Sequence, residues 1–232
     1  MIRLRVFRAI DELESCQKFV EGHMRILKVF GITMITSANV DWFHDPDTYV
    51  IAAESTEDGR ILGGARVQVA KGKYPLPIEK AVVEIDDRIH DVVTEFAKEG
   101  TGELCGLWNS REIAGLGIGS TYLTRTAVAI APALKLKSLF ALCAAYTVEM
   151  AQKAGFQIAT FLGNEGTFYY PKEDLTATGM VLMDSSNLDL ADPDERAEIV
   201  SLRKKPSQVK TEMGRRGPFE LIYDLELKNP PK

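Results

Sequence analysis

The run Ala114-Gly115-Leu116-Gly117-Ile118-Gly119-Ser120 carries the densest chemical signal in the chain. Its three alternating glycines lie between a strand-like run at 103–108 and a helix-like run beginning at 119. The first N–H groups of that helix are therefore left without side chains to shield them, and such a turn can hold a phosphate. The spacing narrows the ligand. A nucleotide P-loop needs a lysine ahead of Ser or Thr, but Gly119 runs directly into Ser120-Thr121. A dinucleotide turn needs Gly-x-Gly-x-x-Gly, whereas Gly115, Gly117 and Gly119 are evenly spaced and the next strand has no acidic end for a ribose. The alternative is an ordinary tight connection from strand to helix.

Other reactive residue types are sparse. Cys16, Cys105 and Cys143 are far apart and offer neither a disulfide framework nor a Cys-x-x-Cys pair. His23, His44 and His90 lack the spacing of a zinc helix, so metal-free chemistry is expected. Cys143 lies among Ala141, Leu142, Ala144 and Ala145, where a cysteine reads either as a small buried hydrophobe or as a covalent nucleophile.

The bulk numbers bound the rest. The chain has 232 residues, 45% hydrophobic and 26% charged, enough for one large domain, expected over 1–190 with an extension at 191–232 packed on it. A net charge of -5 supplies no electrostatic footprint for nucleic acid, and the basic doublets Lys204-Lys205 and Arg215-Arg216 are short. Any phosphate must be bound locally. No apolar run reaches the roughly 20 residues of a membrane span, and Met1-Ile2-Arg3-Leu4-Arg5 lacks an apolar signal core, so a cytoplasmic protein without membrane contact is expected.

Periodicity orders the elements that must position these residues. Residues 3–8 alternate as a half-buried strand; Asp11 and Glu14 read as a capping box for a helix with Leu13, Phe19, Val20, Ile26, Leu27 and Phe30 on its apolar face. Strands at 49–53 and 61–69 are joined through Glu57-Asp58-Gly59 as a hairpin. A loop at 71–77 leads to a helix carrying Ile85, Ile89, Val92, Val93 and Phe96. Strand 103–108, helix 119–134 and strand 139–142 form a β-α-β unit, which makes two strands parallel and the whole sheet mixed. Pro132 should bend or end that helix by leaving the Val128 carbonyl unbonded. A helix at 145–154, strands at 156–162 and 180–183, and a capping box at Asp192 and Glu195 complete the reading. The fold class is α/β, a mixed, partly antiparallel twisted sheet flanked by helices, with a helical and strand extension.

The glycine turn, Ala154-Gly155-Phe156 and this order of elements together resemble the Gcn5-related N-acetyltransferase superfamily. That family's turn is Gln/Arg-x-x-Gly-x-Gly/Ala, and Gly117 and Gly119 match its small positions, while Ala114 replaces the Gln/Arg. The resemblance implies acetyl-CoA or another acyl-CoA as co-substrate. It would be held by the strand end Leu107, Trp108 and Asn109 and by the backbone from Ala114 through Gly115, Leu116, Gly117, Ile118 and Gly119 to Ser120. It also implies a base at Glu103, for which the plain alternative is a solvent-facing carboxylate at a strand start. The tyrosine that many members use as general acid falls at Ala151, which leaves Tyr146, Cys143 or the pair Tyr169-Tyr170.

The amino-terminal half is similar to acyl-homoserine-lactone synthases through Arg25, Val29-Phe30, Asp41, Asp45, Gly64-Ala65-Arg66 and Glu103. This second resemblance implies substrate contacts by Arg25, Phe30, Asp45 and Arg66, with an acyl carrier protein as donor and S-adenosylmethionine as acceptor. Gly106 stands where that family usually has arginine, and the tryptophan expected soon after Phe30 is missing, with Trp42 downstream. The plain alternatives are a solvated Arg25, turn-making Asp41 and Asp45, and an Arg66 ion pair. Amine attack on a thioester needs a neutral amine, an oxyanion donor and a proton for the thiolate. The expected function is therefore N-acyl transfer from acyl-CoA to a small-molecule amine. The alternatives are an autoinducer-synthase-like enzyme using an acyl carrier protein and a non-catalytic acyl-CoA-binding or sensing domain.

Overall fold

The computed structural model describes residues 1–29, 31–32, 40–71, 74–116, 118–214 and 216–228. Phe30 and Gly117 lie outside the described residues.

Strand β1 (Ile2–Arg8) leads into helix α1 (Leu13–Val29), and β2 (Thr48–Ser55) and β3 (Ile61–Val69) form the expected hairpin. Ahead of α1 the Asp11 carboxylate accepts from the Arg8 guanidinium at 2.8 and 3.0 Å, and Glu14 pairs with Lys18. Two short helices follow, α2 (Pro77–Val82) and α3 (Ile89–Ala97). Sequence periodicity merged α2 into a loop and carried Ile85 into a helix face, whereas Ile85 lies in the turn between them, 51% exposed. Proline at the first position of α2 presets φ for a helix start at no hydrogen-bonding cost.

Next come β4 (Gly102–Asn109), α4 (Arg111–Gly115), α5 (Ser120–Ile130), β5 (Leu139–Ala144), α6 (Val148–Lys153), β6 (Gln157–Ile158), β7 (Thr167–Tyr169) and β8 (Thr176–Leu182). Helix α7 (Pro193–Lys204), β9 (Ser207–Gly214) and β10 (Gly217–Asp224) complete the order. The α-helical part of α5 stops two residues before Pro132 and gives way to a tighter 3₁₀ turn over Ala131–Leu134. The Val128 carbonyl that Pro132 leaves without a helical donor accepts instead from Arg203 Nη2 at 2.9 Å. At the start of α7 the Asp192 carboxylate accepts from the Asp194 and Glu195 N–H groups, but Glu195 does not reach back, so only half of the capping box forms.

Among the described residues, the strands share one ten-stranded sheet in the order β6-β8-β5-β4-β3-β2-β1-β10-β9, with β7 also on β8. β4 pairs with β5 in parallel, as the β-α-β pattern requires, and β1 pairs with β10 in parallel; the other ladders are antiparallel. The expected strand at 156–162 shrinks to Gln157–Ile158. One face of the sheet is covered by α5, whose nine residues from Tyr122 to Ile130 are all buried, together with α6 and α7. The other face is divided between α1, over β1–β4, and the α2–α3 pair, over β4, β5 and β8.

Candidate active site

Two irregularities in β4 create the site. The register with β3 slips between Arg66↔Cys105 and Gly64↔Trp108, so β4 carries an extra residue at Gly106-Leu107. Gly106 adopts φ +60, a left-handed conformation that glycine takes without strain. The bulge reverses the faces beyond it. Leu107 packs toward α5, while Trp108 turns under α1, where its ring would lie 2.1 Å from a Cβ at position 22, so Gly22 is required there.

The second irregularity is that β4 and β5 pair only at Glu103↔Phe140 and Leu104↔Ala141. Beyond these rungs the two parallel strands part. Backbone groups of β4 past Leu104 on that side have no ladder partner on β5, and such groups need one from elsewhere.

Glu103 stands at the fork on the face shared by α1 and α2, and is only 2% exposed. Its carboxylate accepts the Ile78 N–H in the first turn of α2 at 2.7 Å. Burial pushes its pKa up to about 8, against the lowering effects of that hydrogen bond and of the Arg66 charge, with Glu79 adding to the rise. The solvent-facing alternative for Glu103 is thereby excluded.

Around Glu103, the seam between α1 and α2 is polar. Arg66 and Gln68 occupy alternate positions of β3 and so share a face; Gln68 is the cross-strand neighbour of Glu103. The Arg66 guanidinium lies 4.6 Å from the centre of the Trp42 ring. A cleft opens here, lined by Asp41, Trp42, Arg66, Gln68, Tyr74 and Lys80 together with Pro75 and Pro77. His23 on α1 reaches the same seam; its Cε1 would lie 3.9 Å from a Cβ at Gly106. Burial first, and the Arg66 charge second, lower its pKa to about 4, so the ring is neutral at physiological pH. Among the described residues, the Nδ1 of His23 and the Nε1 atoms of Trp42 and Trp108 are buried without a hydrogen-bond partner.

The remaining sequence candidates divide. Arg66 joins Glu103 in the seam. Arg25 does not; it is exposed on α1. Asp45 is buried but committed to its own turn, accepting from the Asp47 N–H at 3.0 Å and the Thr48 hydroxyl at 2.8 Å, as the turn-making alternative expects. Cys143 on β5 is buried, and desolvation pushes its thiol up to about 11, so it is not a thiolate at neutral pH. Tyr146 stands out into solvent, 86% exposed. The Trp108 indole is core, leaving only the backbone of that residue at the fork.

The glycine turn is also built differently from the sequence reading. Helix α4 occupies the space before it, and the N–H groups of Leu116 and Ile118 close onto α4 carbonyls, so neither is available to an anion. Ser120 is tied to the end of β4: with the Asn109 amide oriented by its hydrogen bonds, its oxygen accepts from Ser120 Oγ at 3.1 Å and Ser120 N at 3.2 Å, and its nitrogen donates to Trp108 O at 3.2 Å. The remaining first-turn amides of α5 have no side-chain cap, and a Cβ at Gly119 or Gly115 would meet nothing within 4 Å.

Sequence reasoning gave no role to Gln68, Tyr74, Lys80 or His23, and named Trp42 only as a tryptophan downstream of Phe30. The available signal was Arg66-x-Gln68 inside an otherwise apolar strand, two polar residues on one face of a segment buried on both.

No family model matches the chain, and no curated protein matches it in sequence. Solved structures do match in fold. FeeM, an N-acyl amino acid synthase from uncultured soil microbes, superposes with a TM-score of 0.58 over 83% of this chain and 99% of its own, at 11% identity. The CoA-dependent acyl-homoserine lactone synthase BjaI, solved with SAM and isopentyl-CoA, gives 0.54 over 100% and 96% at 12% identity. An acyl-CoA N-acyltransferase from Pseudomonas aeruginosa gives 0.53 over 78% and 99% at 16% identity. The chain thus has the fold of the Gcn5-related N-acyltransferases.

Proposed function

We propose that this protein is an acyl-CoA-dependent N-acyltransferase acting on a small-molecule amine, with Glu103 as the base. The observation that carries the reading is the fork itself: a buried carboxylate with its pKa near 8, next to a strand pair that opens after two rungs. The two amides of a pantetheine arm suit the unpaired backbone of β4. The pyrophosphate would meet the first-turn amides of α5 beside Gly119. Three solved structures that share this fold are named as an N-acyl amino acid synthase, a CoA-dependent acyl-homoserine lactone synthase and an acyl-CoA N-acyltransferase, which supports acyl transfer here.

In this mechanism the amine enters through the cleft beside Arg66 and Gln68. Glu103 takes a proton from the ammonium, the neutral nitrogen bonds to the acyl carbon, and the C–S bond breaks. A β4 amide at Leu107 or Trp108 steadies the oxyanion, the attacking nitrogen gives up its second proton through water to the departing thiolate, and the spent base returns its proton to solvent. No tyrosine or cysteine is needed as a separate acid.

The test uses Gly119→Asp. The position has open space and extended backbone, and aspartate is a strong N-cap, so the fold should be retained or gain up to ~1 kcal/mol. Its carboxylate would fill the anion position, and calorimetry should show coenzyme A binding weakened at least ~10-fold by charge repulsion. Unchanged binding sinks the placement of the pyrophosphate. Thiol release from acetyl-CoA, long-chain acyl-CoA and acyl carrier protein across an amine panel then fixes donor and acceptor; tight binding with no thiol from any combination favours a sensing domain.

A further inference from the structure

The sheet has two unlike edges. At one, β6 is two residues long and β7 three, too short to template another strand. At the other, β9 runs eight residues and pairs with β10 in unbroken register from Ser207↔Asp224 to Gly214↔Gly217. It contains no proline, and its single lysine, Lys210, is drawn back into an ion pair with Glu198 on α7. Proline, a bulge and an outward lysine, three of the devices that blunt an edge, are absent from β9, whose charged residues Lys210 and Glu212 turn inward to Glu198 and Arg125.

The backbone of β9 is aimed outward at alternate residues. Opposite Met213 on β10 stands Pro218, which has no N–H, and the Met213 carbonyl accepts from the Tyr122 hydroxyl at 2.9 Å. Alternation along an antiparallel pair then turns the backbone groups of Ser207, Val209, Thr211 and Met213 away from β10. The side chains of these four are exposed, Val209 by 59% and Met213 by 72%.

We propose that β9 is the pairing edge for a second copy of this chain, antiparallel about a two-fold axis through Thr211. In that register Thr211 faces Thr211 and Val209 faces Met213 on both sides of the axis. Lys210 and Glu212 take no part in the match, since Lys210 is paired with Glu198 and Glu212 with Arg125. Moving the axis by one residue sets Val209 or Met213 against Thr211 instead, so the Thr211 axis alone among these matches apolar with apolar. The apolar stripe continues onto β10 through Ile222, opposite Val209, and Pro218, opposite Met213. Five strand spacings, about 24 Å, separate β9 from β4, so pairing here leaves the acyl-transfer cleft open.

Cysteine cross-linking reads the register directly, because Cys16, Cys105 and Cys143 are buried. Across the axis, Thr211→Cys places two Cα atoms about 5.5 Å apart, which suits a disulfide. Two Val209→Cys residues would stand roughly 14–15 Å apart and cannot bridge. Sedimentation of the wild-type chain should show a concentration-dependent dimer, mild oxidation should link Thr211→Cys but not Val209→Cys, and a mixture of Val209→Cys and Met213→Cys should cross-link. Thr211→Pro removes only an outward N–H, so it should sediment as a monomer with an unchanged circular-dichroism spectrum. A wild-type chain that stays monomeric at every concentration overturns the proposal, as do equal cross-linking at 209 and 211 or a Thr211→Pro variant that dimerises like the wild type.

Discussion

Beneath α5 and α7, Arg125 is buried with both of its ionic partners. It binds Glu195 through Nε and Nη2 at 2.7 Å and both oxygens of Glu212 through Nη1 at 3.0 Å, while Tyr223 donates to Glu212 at 2.7 Å. Across the sheet, beneath α1 and α2, Glu103 and His23 are as deeply buried, yet among the described residues Glu103 has no bonded cation and the ring nitrogens of His23, Trp42 and Trp108 include three without partners. A fully satisfied buried network holds elements together: here it fastens α7 and the β9–β10 hairpin to α5. A network left incomplete costs stability and is kept where a ligand completes it. Burial alone therefore does not separate scaffold from site; hydrogen-bond satisfaction does.

The largest effect expected from this contrast is on the scaffold side. Arg125→Met strands two buried carboxylates and should cost about 3–5 kcal/mol in urea unfolding, without altering turnover per folded molecule. Replacing Glu195 and Glu212 by leucine in the same chain should restore most of that loss. A neutral Arg125→Met would remove the scaffold half of the comparison.

On the site side, Glu103→Gln keeps an acceptor for the Ile78 N–H, so its melting temperature should be no lower, while kcat/KM falls at least ~10²-fold. If stability fell with activity, Glu103 would be only the cap of α2. The pH dependence sharpens the same point. Burial raises the Glu103 pKa from 4.5 to about 8, so the stability it contributes is present below about 4.5 and lost as pH rises through 8. Wild-type unfolding free energy should thus decline across that window by on the order of a few kcal/mol, and Glu103→Gln should flatten the slope. Activity should move the other way, with kcat/KM rising toward a limb near pH 8.

The smallest expected effect belongs to His23. Its folded pKa of about 4 lies below the ordinary 6.5, so its contribution is present above 6.5 and lost as pH falls through 4. His23→Leu removes an unpartnered buried nitrogen and should gain about 1 kcal/mol at neutral pH. A loss of stability instead would show that the nitrogen is bonded in solution and that the seam is more complete than its geometry implies.

Local periodicity was enough to place β1, α1, the β2–β3 hairpin, the parallel β4-α5-β5 unit and the stop at Pro132, because each is decided by neighbours within a few residues. The hairpin at β9–β10 was not read, and neither was its joining of β1, since that pairing links Ile2–Arg5 to Leu221–Asp224 across almost the whole chain. Among the candidate residues, Glu103 and Arg66 were singled out through the two family resemblances. Their shared seam with Gln68 and His23 was not, because it depends on which helix covers which part of the face.

The glycine turn shows the same division. Its composition by itself determined that a helix begins at about Gly119, which the structure starts at Ser120 with Gly119 as the cap residue. Only the tertiary structure decided that the Leu116 and Ile118 amides are spent on α4, that β4 bulges at Gly106 and that β4 leaves β5 after Leu104. The physical reason is that a backbone donor's availability depends on every element packed around it, whereas a glycine's freedom belongs to the residue itself.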